Sequence, residues 1–385
     1  MVEKVTRICA LDQPLFKVFL NLKDPRVGGR CLYPLINIIF ITLCALIAGC
    51  DGWKAIENFG RERIRWLSQF IHLENGIPSH LTFARVIARI DPKLFEFCAR
   101  EWFQQIYQLQ MWDIINFDGK TACASGHVNG NKKNMHLVNA YSSKHNVALG
   151  SERVSDKSNE IKAIPILLNE LNVAGTIITS DAMGAQRGIA KLIREKKANY
   201  VFGLKENYKR FYRHAAASFE KAEKLKFQNM VTHFEVTNDY GHHRIESREY
   251  TVLPAMYFFK HKKNWKDLQA IVRVKSKTHL LQKNKKDEEA TNYYITSIPF
   301  KMHAKMFEAI RAHWSIENKL HWKLDVGMHE DDCQIYRGFA DQNLAAMRKI
   351  VLALLESEKS YKAGIELKRH KAALSTRYLR KVVGF

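Results

Sequence analysis

The sequence predicts an α/β protein with three parts: an all-α N-terminal domain, a core in which strands alternate with helices, and a β-rich insertion in that core. Three observations predict this class. Apolar residues recur at helical spacing up to about residue 110, strand-like apolar runs begin after Trp112, and Thr, Val, Tyr and Ile become frequent between about residues 229 and 298. With 385 residues, 46% of them hydrophobic, the chain is long enough for several domains and a real core.

The charge balance indicates a polyanionic partner. Lys and Arg number 61 against 39 Asp and Glu, which gives a formal net charge of +22 with the histidines neutral. Clustered cations bind phosphate backbones because binding releases condensed counterions, so this excess favours a nucleic acid over an idle basic surface. The 7 scattered cysteines include no C-x-x-C pair, so they indicate neither a disulfide framework nor a zinc site and fit a reducing cytoplasm.

Residues 1–110 are predicted to form the helical domain. The first residues contain no apolar stretch followed by a small-residue cleavage site, so we expect no secretory signal. The longest apolar run, residues 35–50, includes Asn37 and Thr42 and is shorter than the ~20 residues that span a bilayer, which favours a buried helix. The aromatic residues at helical spacing from Trp53 onward are expected to lie in the core rather than to form a stacking platform.

Residues 111–350 are predicted to form the second domain, and their element order indicates a particular sheet. The order is three strands, a helix, a strand, a helix and a strand, with Asp118 at the end of the first strand and Asp181 at the end of the fourth. In the first helix, Pro165 indicates either a kink or a later start. An antiparallel meander that continues into parallel strands covered by helices matches a ribonuclease-H-like core. In that fold the first and fourth strands are neighbours, so by fold analogy the two aspartates lie side by side.

The rest of the chain is predicted to contain a helix, the insertion and a helical end. Residues 205–225 are predicted to be helical, the β-rich insertion occupies about 229–298, and residues 302–326 return to helix. Residues 351–385 are expected to form a basic C-terminal helical tail.

Two carboxylates at neighbouring strand ends indicate a divalent-metal site. Like charges repel and lose hydration when they are buried together, whereas hard cations held between carboxylate oxygens offset both costs and assist phosphoryl transfer. Taken alone, an Asp-Gly pair such as Asp118-Gly119 is more often an ordinary turn. A third carboxylate is expected, and Glu317 is the first candidate because helical spacing places it on one face with His313 and His321.

Other interpretations of the segment around Glu317 stay open at this point. Its spacing with the two flanking histidines also fits a zinc or iron site, although no further ligand of a known type accompanies it. The cluster is also compatible with the solvated acidic end of a helix. Three nearby acids compete for the third position: Asp325, Glu330 and Asp331.

Several strings follow one another along nearly the full length of the chain: DPR (24–26), NGIPSHLT (75–82), DGKT (118–121), KSNEIKAIPILL (157–168), TSDAMGAQ (179–186), NYVFGLKEN (199–207), RIESR (244–248) and HWSIENKLHWKLDV (313–326). In this order they resemble the insertion-sequence DDE transposases of the group that contains the H-repeat-associated proteins. Several such strings in one order are far more selective than any one of them.

The resemblance implies a catalytic and metal-binding triad of Asp118, Asp181 and Glu317 on the ribonuclease-H-like core, with two Mg²⁺ (or Mn²⁺) ions as cofactor. It implies a DNA transposase that hydrolyses phosphodiesters at the ends of its element and then transfers the freed 3′-OH to target DNA. Two alternatives stay open: a catalytically inactive DNA-binding remnant of such an element, and a ribonuclease-H-like nuclease without strand transfer.

The resemblance also implies partners and a location. The expected partner is double-stranded DNA, both the terminal repeats and the target, and no membrane is involved. Because two DNA ends must be joined, we expect a homodimer or a larger assembly in the DNA complex. A bacterial cytoplasmic location is expected, at the nucleoid when the protein is bound to DNA.

The sequence departs from the family pattern near the last acid. An arginine is usual four residues before it, where His313 stands, and a lysine is usual where Leu324 stands. Cys123 stands where an arginine is usual after the DGKT string, and Tyr208 where a glutamine is usual. The candidates for contact with DNA phosphate are Lys120, Arg311, His313, His321 and Lys323, with Arg311 and Lys323 as the nearest substitutes for the missing cations.

Basic segments are further candidates for DNA contact. Aromatic residues and cations interleave in residues 208–214 and 258–266, and the tail from Lys368 is basic. Each pattern alone is as typical of a solvated face as of phosphate contact. No helix-turn-helix or zinc-finger signature identifies the element that reads the DNA ends. We expect the N-terminal helical domain to have this role.

Overall fold

The computed structural model describes residues 13–29, 31–122, 134–154, 160–228, 230–241, 244–280 and 287–385. Cys123 and the first residues of the KSNEIKAIPILL string lie outside this part of the chain. Before the sheet, the regular elements of the described ranges are helices: α1 (Pro14–Phe19), α2 (Leu35–Ile47), α3 (Trp53–Glu62), α4 (Ile64–Leu67), α5 (His80–Ile87) and α6 (Pro92–Ile106).

The longest apolar run forms α2, which lies in the core. Every residue of α2 except Ile36 is buried. The Asn37 amide donates to the His72 carbonyl at 2.7 Å, and the Thr42 hydroxyl donates to the Ile38 carbonyl at 2.7 Å, so both polar side chains are satisfied inside the core. The expected buried helix is confirmed. Across the described ranges, no helix is both long enough and apolar enough to cross a membrane.

A nine-stranded mixed sheet follows, in the order β3-β2-β1-β4-β5-β9-β8-β7-β6. Its strands are β1 (Ile114–Ala122), β2 (Met135–Ser142), β3 (Val147–Val154), β4 (Ile177–Ser180), β5 (Asn199–Leu204), β6 (His233–Gly241), β7 (Arg244–Pro254), β8 (Ala270–Leu280) and β9 (Glu288–Thr296). The pairs β1/β4 and β4/β5 are parallel, and the other neighbours are antiparallel. The predicted adjacency of the first and fourth strands is confirmed.

The β-rich insertion continues this sheet. Its last strand, β9, pairs antiparallel with β5 in the register Val201↔Thr296, and β8, β7 and β6 follow outward. The composition of the insertion predicts its strands, but it does not indicate with which strand of the core they pair. On the side of β5 opposite β4, β9 is the next strand of the sheet. Its pairing satisfies backbone N–H and C=O groups that would otherwise be unpaired at a buried edge, which costs free energy.

Helices cover both faces of the sheet. The helices of this part of the chain are α7 (Glu160–Glu170), α8 (Arg187–Glu195), α9 (Lys209–Lys224), α10 (Phe259–Lys262) and α11 (His303–His313). Side chains alternate along β1, so Asn116 contacts the end of α11 on one face while Gly119 faces Glu160 of α7 on the other. Pro165 lies inside α7, so the helix does not start after it.

The C-terminal helices pack against the N-terminal ones. These are α12 (Ala340–Ser357), α13 (Ile365–Leu374) and α14 (Thr376–Val383). The Asn343 amide donates to the carbonyls of Ile87 and Ile90, and the Phe385 ring stacks on Phe70 with centroids 4.5 Å apart. α12 continues through the predicted boundary at residue 350, because both sides of that point contribute buried residues to one helix. The division into three domains stays a prediction.

Candidate active site

Asp118 and Asp181 meet at one edge of the sheet because β1 and β4 run parallel. The register pairs Phe117 with Ser180, so each aspartate directly follows one member of this pair along the chain. The expectation that β1 ends at Asp118 is wrong. β1 continues to Ala122 because β2 still pairs with it there, while β4 stops at Ser180. Both acids line a cleft of about 300 Å³.

The turn after β4 orients Asp181. Its Oδ1 accepts the backbone N–H groups of Met183 at 2.9 Å and Gly184 at 3.2 Å, a local turn that aspartate side chains favour. A Cβ at Gly184 would overlap the Ser180 hydroxyl, and a Cβ at Gly203 of β5 would lie 3.3 Å from the Ala182 nitrogen. These two glycines let the turn approach the neighbouring backbone closely.

Asp118 lies in a strongly acidic environment. Its Oδ1 accepts the Gly119 N–H at 2.9 Å, and its Oδ2 is 3.8 Å from His321 Nδ1. Burial raises the pKa of Asp118 to about 7; the Gly119 N–H lowers it, and the carboxylates of Asp181, Glu160 and Glu317 raise it further. A cation placed among these oxygens would therefore be stabilised by them.

Glu317 lines the same cleft and is exposed. The sequence predicts a regular helix here, but α11 ends at His313 and the chain continues as two wider π-helical turns, Glu317–His321 and Lys323–Gly327. Such turns are rare and are frequent at functional sites. The predicted grouping of Glu317 with its flanking histidines holds in part: His313 lines the cleft, and His321 approaches Asp118.

A buried hydrogen-bond network attaches the end of α11 to β1 and β4. The Thr179 hydroxyl donates to Asn116 Oδ1 at 2.7 Å, and Asn116 Nδ2 donates to the Ala312 carbonyl at 3.1 Å. His313 Nδ1 lies 2.9 Å from the Thr179 oxygen. Since the Thr179 proton goes to Asn116, His313 Nδ1–H is the donor in that contact. The network holds Glu317, four residues further on, beside the two aspartates.

The five predicted phosphate contacts are paired with acids or held neutral. Lys120 is buried and contacts Asp325, Glu330 and Asp331 at 2.6, 3.1 and 3.2 Å. Arg311 pairs with Asp239 at 2.7 Å, and Lys323 pairs with Glu356. Burial lowers the pKa of His313 to about 4 and that of His321 to about 3, so both rings are neutral at pH 7. Their contact with phosphate stays a prediction.

The ion pairs of Lys120 also bear on which acid joins Asp118 and Asp181 as the third member of the triad. Asp325, Glu330 and Asp331, the competitors of Glu317, are all held by Lys120. Within the described ranges, no three His, Cys, Asp or Glu side chains are close enough to enclose a metal ion in their present positions. The donors around the cleft are carboxylate oxygens, which suit Mg²⁺ or Mn²⁺ better than zinc. By their chemistry, and by the raised pKa of Asp118, these residues fit a hard cation.

Lys205 and Trp314 line the cleft but are not among the predicted site residues. Lys205, directly after β5, is exposed and lines the cleft with the three acids. Trp314 also lines it with 56% of its surface exposed, and its indole hydrogen-bonds the Tyr294 hydroxyl. The signal for Lys205 was available, because β4 and β5 are parallel and their carboxyl ends lie at the same edge, where ligands bind in such sheets.

Fold and site together define a class: a mixed sheet that brings two strand-borne aspartates and a helical glutamate into one cleft. A family model described as "Transposase DDE domain" matches residues 104–253, and one described as "DDE_Tnp_1-associated" matches residues 16–103. The chain belongs to this transposase family, in the group of the H-repeat-associated proteins, and the resemblance found in its strings is confirmed.

Relatives match over almost their whole length. "Putative transposase YncI" of Escherichia coli O157:H7 is 38% identical over 375 residues, which cover 96% of this chain and 94% of the relative. "H repeat-associated putative transposase YhhI" of Escherichia coli (strain K12) is 36% identical over 369 residues, which cover 94% and 95%. A solved piggyBac transposase synaptic complex with hairpin DNA aligns at a TM-score of 0.37 and 11% identity over 99% of this chain and 79% of that one, a similarity too low to indicate a shared fold.

Proposed function

We propose that this protein is an active DNA transposase that cleaves phosphodiesters at the ends of its element and joins the freed 3′-OH to target DNA. The observation that carries the proposal is the cleft in which Asp118, Asp181 and Glu317 meet, in a chain of the transposase family. The strand order β3-β2-β1-β4-β5 supports a ribonuclease-H-like core. The all-α N-terminal part, predicted at residues 1–110, is proposed to read the terminal repeats.

In this proposal, Asp118, Asp181 and Glu317 hold the divalent cations. When bound, such cations lower the pKa of an attacking hydroxyl or water and stabilise the leaving oxygen. Asp181 keeps its orientation because two backbone N–H groups fix one of its oxygens, and its other oxygen is left for the cation. Glu317 is exposed on a π-helical turn, so it can rotate toward the aspartates without breaking a buried contact.

The surrounding residues position the three acids. The Asn116–Thr179–His313 network attaches the helical segment that carries Glu317 to β1 and β4. This attachment limits how far apart the three acids can move. Lys120, bound to three carboxylates of the segment that follows Glu317, ties that segment to β1. The neutral rings of His313 and His321 leave the negative potential of the acids uncancelled.

The partners follow from the proposed reaction. Double-stranded DNA is the substrate, both as terminal repeat and as target, and the charge of +22 supports it. Two ends must be joined in one complex, so we propose a homodimer or larger assembly on DNA, in the bacterial cytoplasm at the nucleoid.

The test is a cleavage and joining assay. The purified protein is incubated with a labelled duplex that carries the DNA flanking its own reading frame, a supercoiled target plasmid, and Mg²⁺ or Mn²⁺. Asp181→Asn keeps the acceptor that the turn needs and removes the charge, and we expect it to abolish nicking and joining. The matched control is Glu308→Gln, which removes an exposed acid of α11 that pairs with Lys305 on the surface and is expected to keep full activity.

Each other outcome selects an alternative. DNA that is retarded but never cut indicates an inactive DNA-binding remnant. Cutting without joined product indicates a nuclease without strand transfer. Strong residual cleavage by Glu317→Gln would move the third role to another acid and contradict the proposed triad.

A further inference from the structure

α9 begins at the catalytic cleft. Lys205 lines the cleft, and the short segment Glu206–Tyr208 connects it to the first residue of α9, Lys209. The Asn207 amide donates to the carbonyl of Ala182, itself a cleft residue, at 2.5 Å. The start of α9 is therefore held beside the turn that carries Asp181.

The first turns of α9 carry exposed cations on one side and core residues on the other. Phe211, Ala215 and Phe219 are buried. Lys209, Arg210 and Arg213 are exposed, and none of them has an ion-pair partner within the described residues. Lys209 and Arg213 lie four residues apart, a spacing at which like charges destabilise a helix. Their presence is therefore not explained by the stability of α9.

The cations at the other end of α9 have a structural explanation. Lys221 and Lys224 lie in its last turn, where a positive charge interacts favourably with the helix dipole. Lys221 and Lys224 lie roughly 18 and 22 Å along the axis from Lys209, at 1.5 Å per residue. The two ends of one helix thus offer a matched comparison.

α10 adds further cations beside the start of α9. The rings of Phe211 and His261 stack with centroids 4.1 Å apart, and His214 lies 5.2 Å from His261. Lys260 and Lys262 of α10 are exposed. Burial lowers the pKa of His261, and His214, Arg187 and Lys260 lower it further, which reports a positive potential at this place. Two basic segments about 50 residues apart in sequence thus form one surface.

We propose that this cation track, formed by Lys205, Lys209, Arg210, Arg213, Lys260 and Lys262, binds the sugar–phosphate backbone of the duplex that leaves the catalytic cleft. The inference rests on the proposed function for its substrate, double-stranded DNA. Lys209 and Arg213 are about 6 Å apart along the helix axis, close to the ~7 Å spanned by two phosphate steps of one strand. The track starts beside the acids of the cleft and leads away from them. Its positive charge attracts the phosphates of the DNA, whereas the acids of the cleft repel them.

The experiment measures salt-dependent binding of a fluorescein-labelled 30-base-pair duplex of arbitrary sequence, by anisotropy in EDTA from 50 to 200 mM NaCl. The double variant Lys209→Gln/Arg213→Gln is compared with Lys221→Gln/Lys224→Gln, which removes the same charge from the same helix. Loss of two phosphate contacts makes the slope of log Kd against log salt shallower by about 1.8, which reduces the rise in Kd over this range by about 12-fold. The control variant is expected to keep the wild-type slope.

The result that would overturn the proposal is a wild-type slope in the first double variant, or an equal loss in the control. Equal melting temperatures of the two variants exclude misfolding as the cause, since all four residues are exposed. Metal-dependent cleavage is measured separately on wild-type protein. A changed slope without any cleavage would contradict the proposed function and support the track, whereas cleavage with an unchanged slope would contradict the track alone.

Discussion

Gly119, the residue after Asp118, has no space for a side chain because a buried pair occupies the back of β1. His136 Nε2 and Glu160 Oε1 lie 2.7 Å apart, and His136 Nδ1 lies 2.7 Å from the Thr121 hydroxyl. A Cβ at Gly119 would overlap the Glu160 carboxyl and lie 2.8 Å from His136 Nε2. The glycine of the DGKT string is thus explained by packing behind the acid rather than by a turn.

Gly119→Ala is expected to lower the free energy of unfolding by about 1–3 kcal/mol, because the added methyl group displaces Glu160 from His136. Urea unfolding measures the change. The control is Gly188→Ala in α8, where nothing lies within 4 Å of the new Cβ and the loss of helical glycine should stabilise by about 0.5–1 kcal/mol. A wild-type midpoint for Gly119→Ala would show that Glu160 moves away without cost.

The lowered pKa of His313 predicts that the protein loses stability in acid. Its pKa is about 4 in the folded protein, with burial as the main cause, against about 6.5 in an unfolded chain. The unfolded state therefore binds more protons between these values, and stability falls as the pH is lowered from 6.5 to 4. His321, with a folded pKa of about 3, acts in the same direction.

His313→Asn keeps a donor toward Thr179 but cannot be protonated. We expect its free energy of unfolding to fall by about 2 kcal/mol less than that of the wild type between pH 6.5 and pH 4.5, measured by urea titration at both values. His72→Asn, which changes a largely exposed ring, should follow the wild-type curve. Parallel curves for all three proteins would refute a buried neutral His313.

At the scale of elements, the site depends on how one helical segment is attached to two parallel strands. Asn116 on β1 and Thr179 on β4 bind the end of α11, and Lys120 on β1 binds Asp325 in the second π-helical turn and Glu330 after it. These contacts join residues that are more than a hundred positions apart in sequence. The placement of Glu317 is therefore a property of the packing between α11, β1 and β4.

Lys120→Met is expected to lower the free energy of unfolding by about 3–5 kcal/mol, because it leaves buried Glu330 and half-buried Asp325 without their cation. Thermal and urea unfolding measure the loss, with Lys162→Met on the exposed side of α7 as a control expected to stay within about 0.5 kcal/mol. An unchanged stability together with weaker DNA binding would return Lys120 to its predicted role as a phosphate contact.

At the scale of the whole molecule, the two ends of the chain share one core. Residues from α1 to α14, together with β1–β5 and the helices that cover them, belong to one cluster of buried side chains. Arg369 of α13 donates to the Leu46 carbonyl at 3.1 Å and to the Gly327 carbonyl at 2.8 Å, and pairs with Asp51 at 2.5 Å. One buried guanidinium thus connects an N-terminal helix, the segment after Glu317 and the C-terminal helices.

Arg369→Met is expected to lower the free energy of unfolding by about 3–5 kcal/mol, because Asp51 and two carbonyl groups lose their donor. Because the core is shared, we expect the far-ultraviolet circular dichroism and the tryptophan fluorescence to report one transition at the same lowered denaturant concentration. Arg377→Met, at an exposed position of α14, is the control and should leave the transition unchanged. Two separate transitions in Arg369→Met would contradict the shared core.

Local pattern was enough for much of the fold. The pattern of apolar residues predicts α2, the hairpin of β2 and β3, the strand before Asp181 and the strands of the insertion. It does so because burial of an element requires apolar residues at the positions that face the core. The two aspartates and Glu317 were found by residue type at the ends of such elements and by family resemblance, and the structure brings all three to one cleft. The pattern could not show the π-helical turns after His313, since widened turns depend on contacts from other elements.

The sequence by itself determined most of the helices and strands, the excess of positive charge and the candidate acids, because each of these depends on the type and spacing of nearby residues. Only the tertiary structure decided that β9 extends the sheet beside β5, that Lys120 is paired with acids, and that the basic tail packs against α2. It also decided that Lys205 and α9 begin at the cleft. The physical reason is that a side chain's partner is set by which distant surfaces become buried together, and hydrophobic period carries no information about that choice.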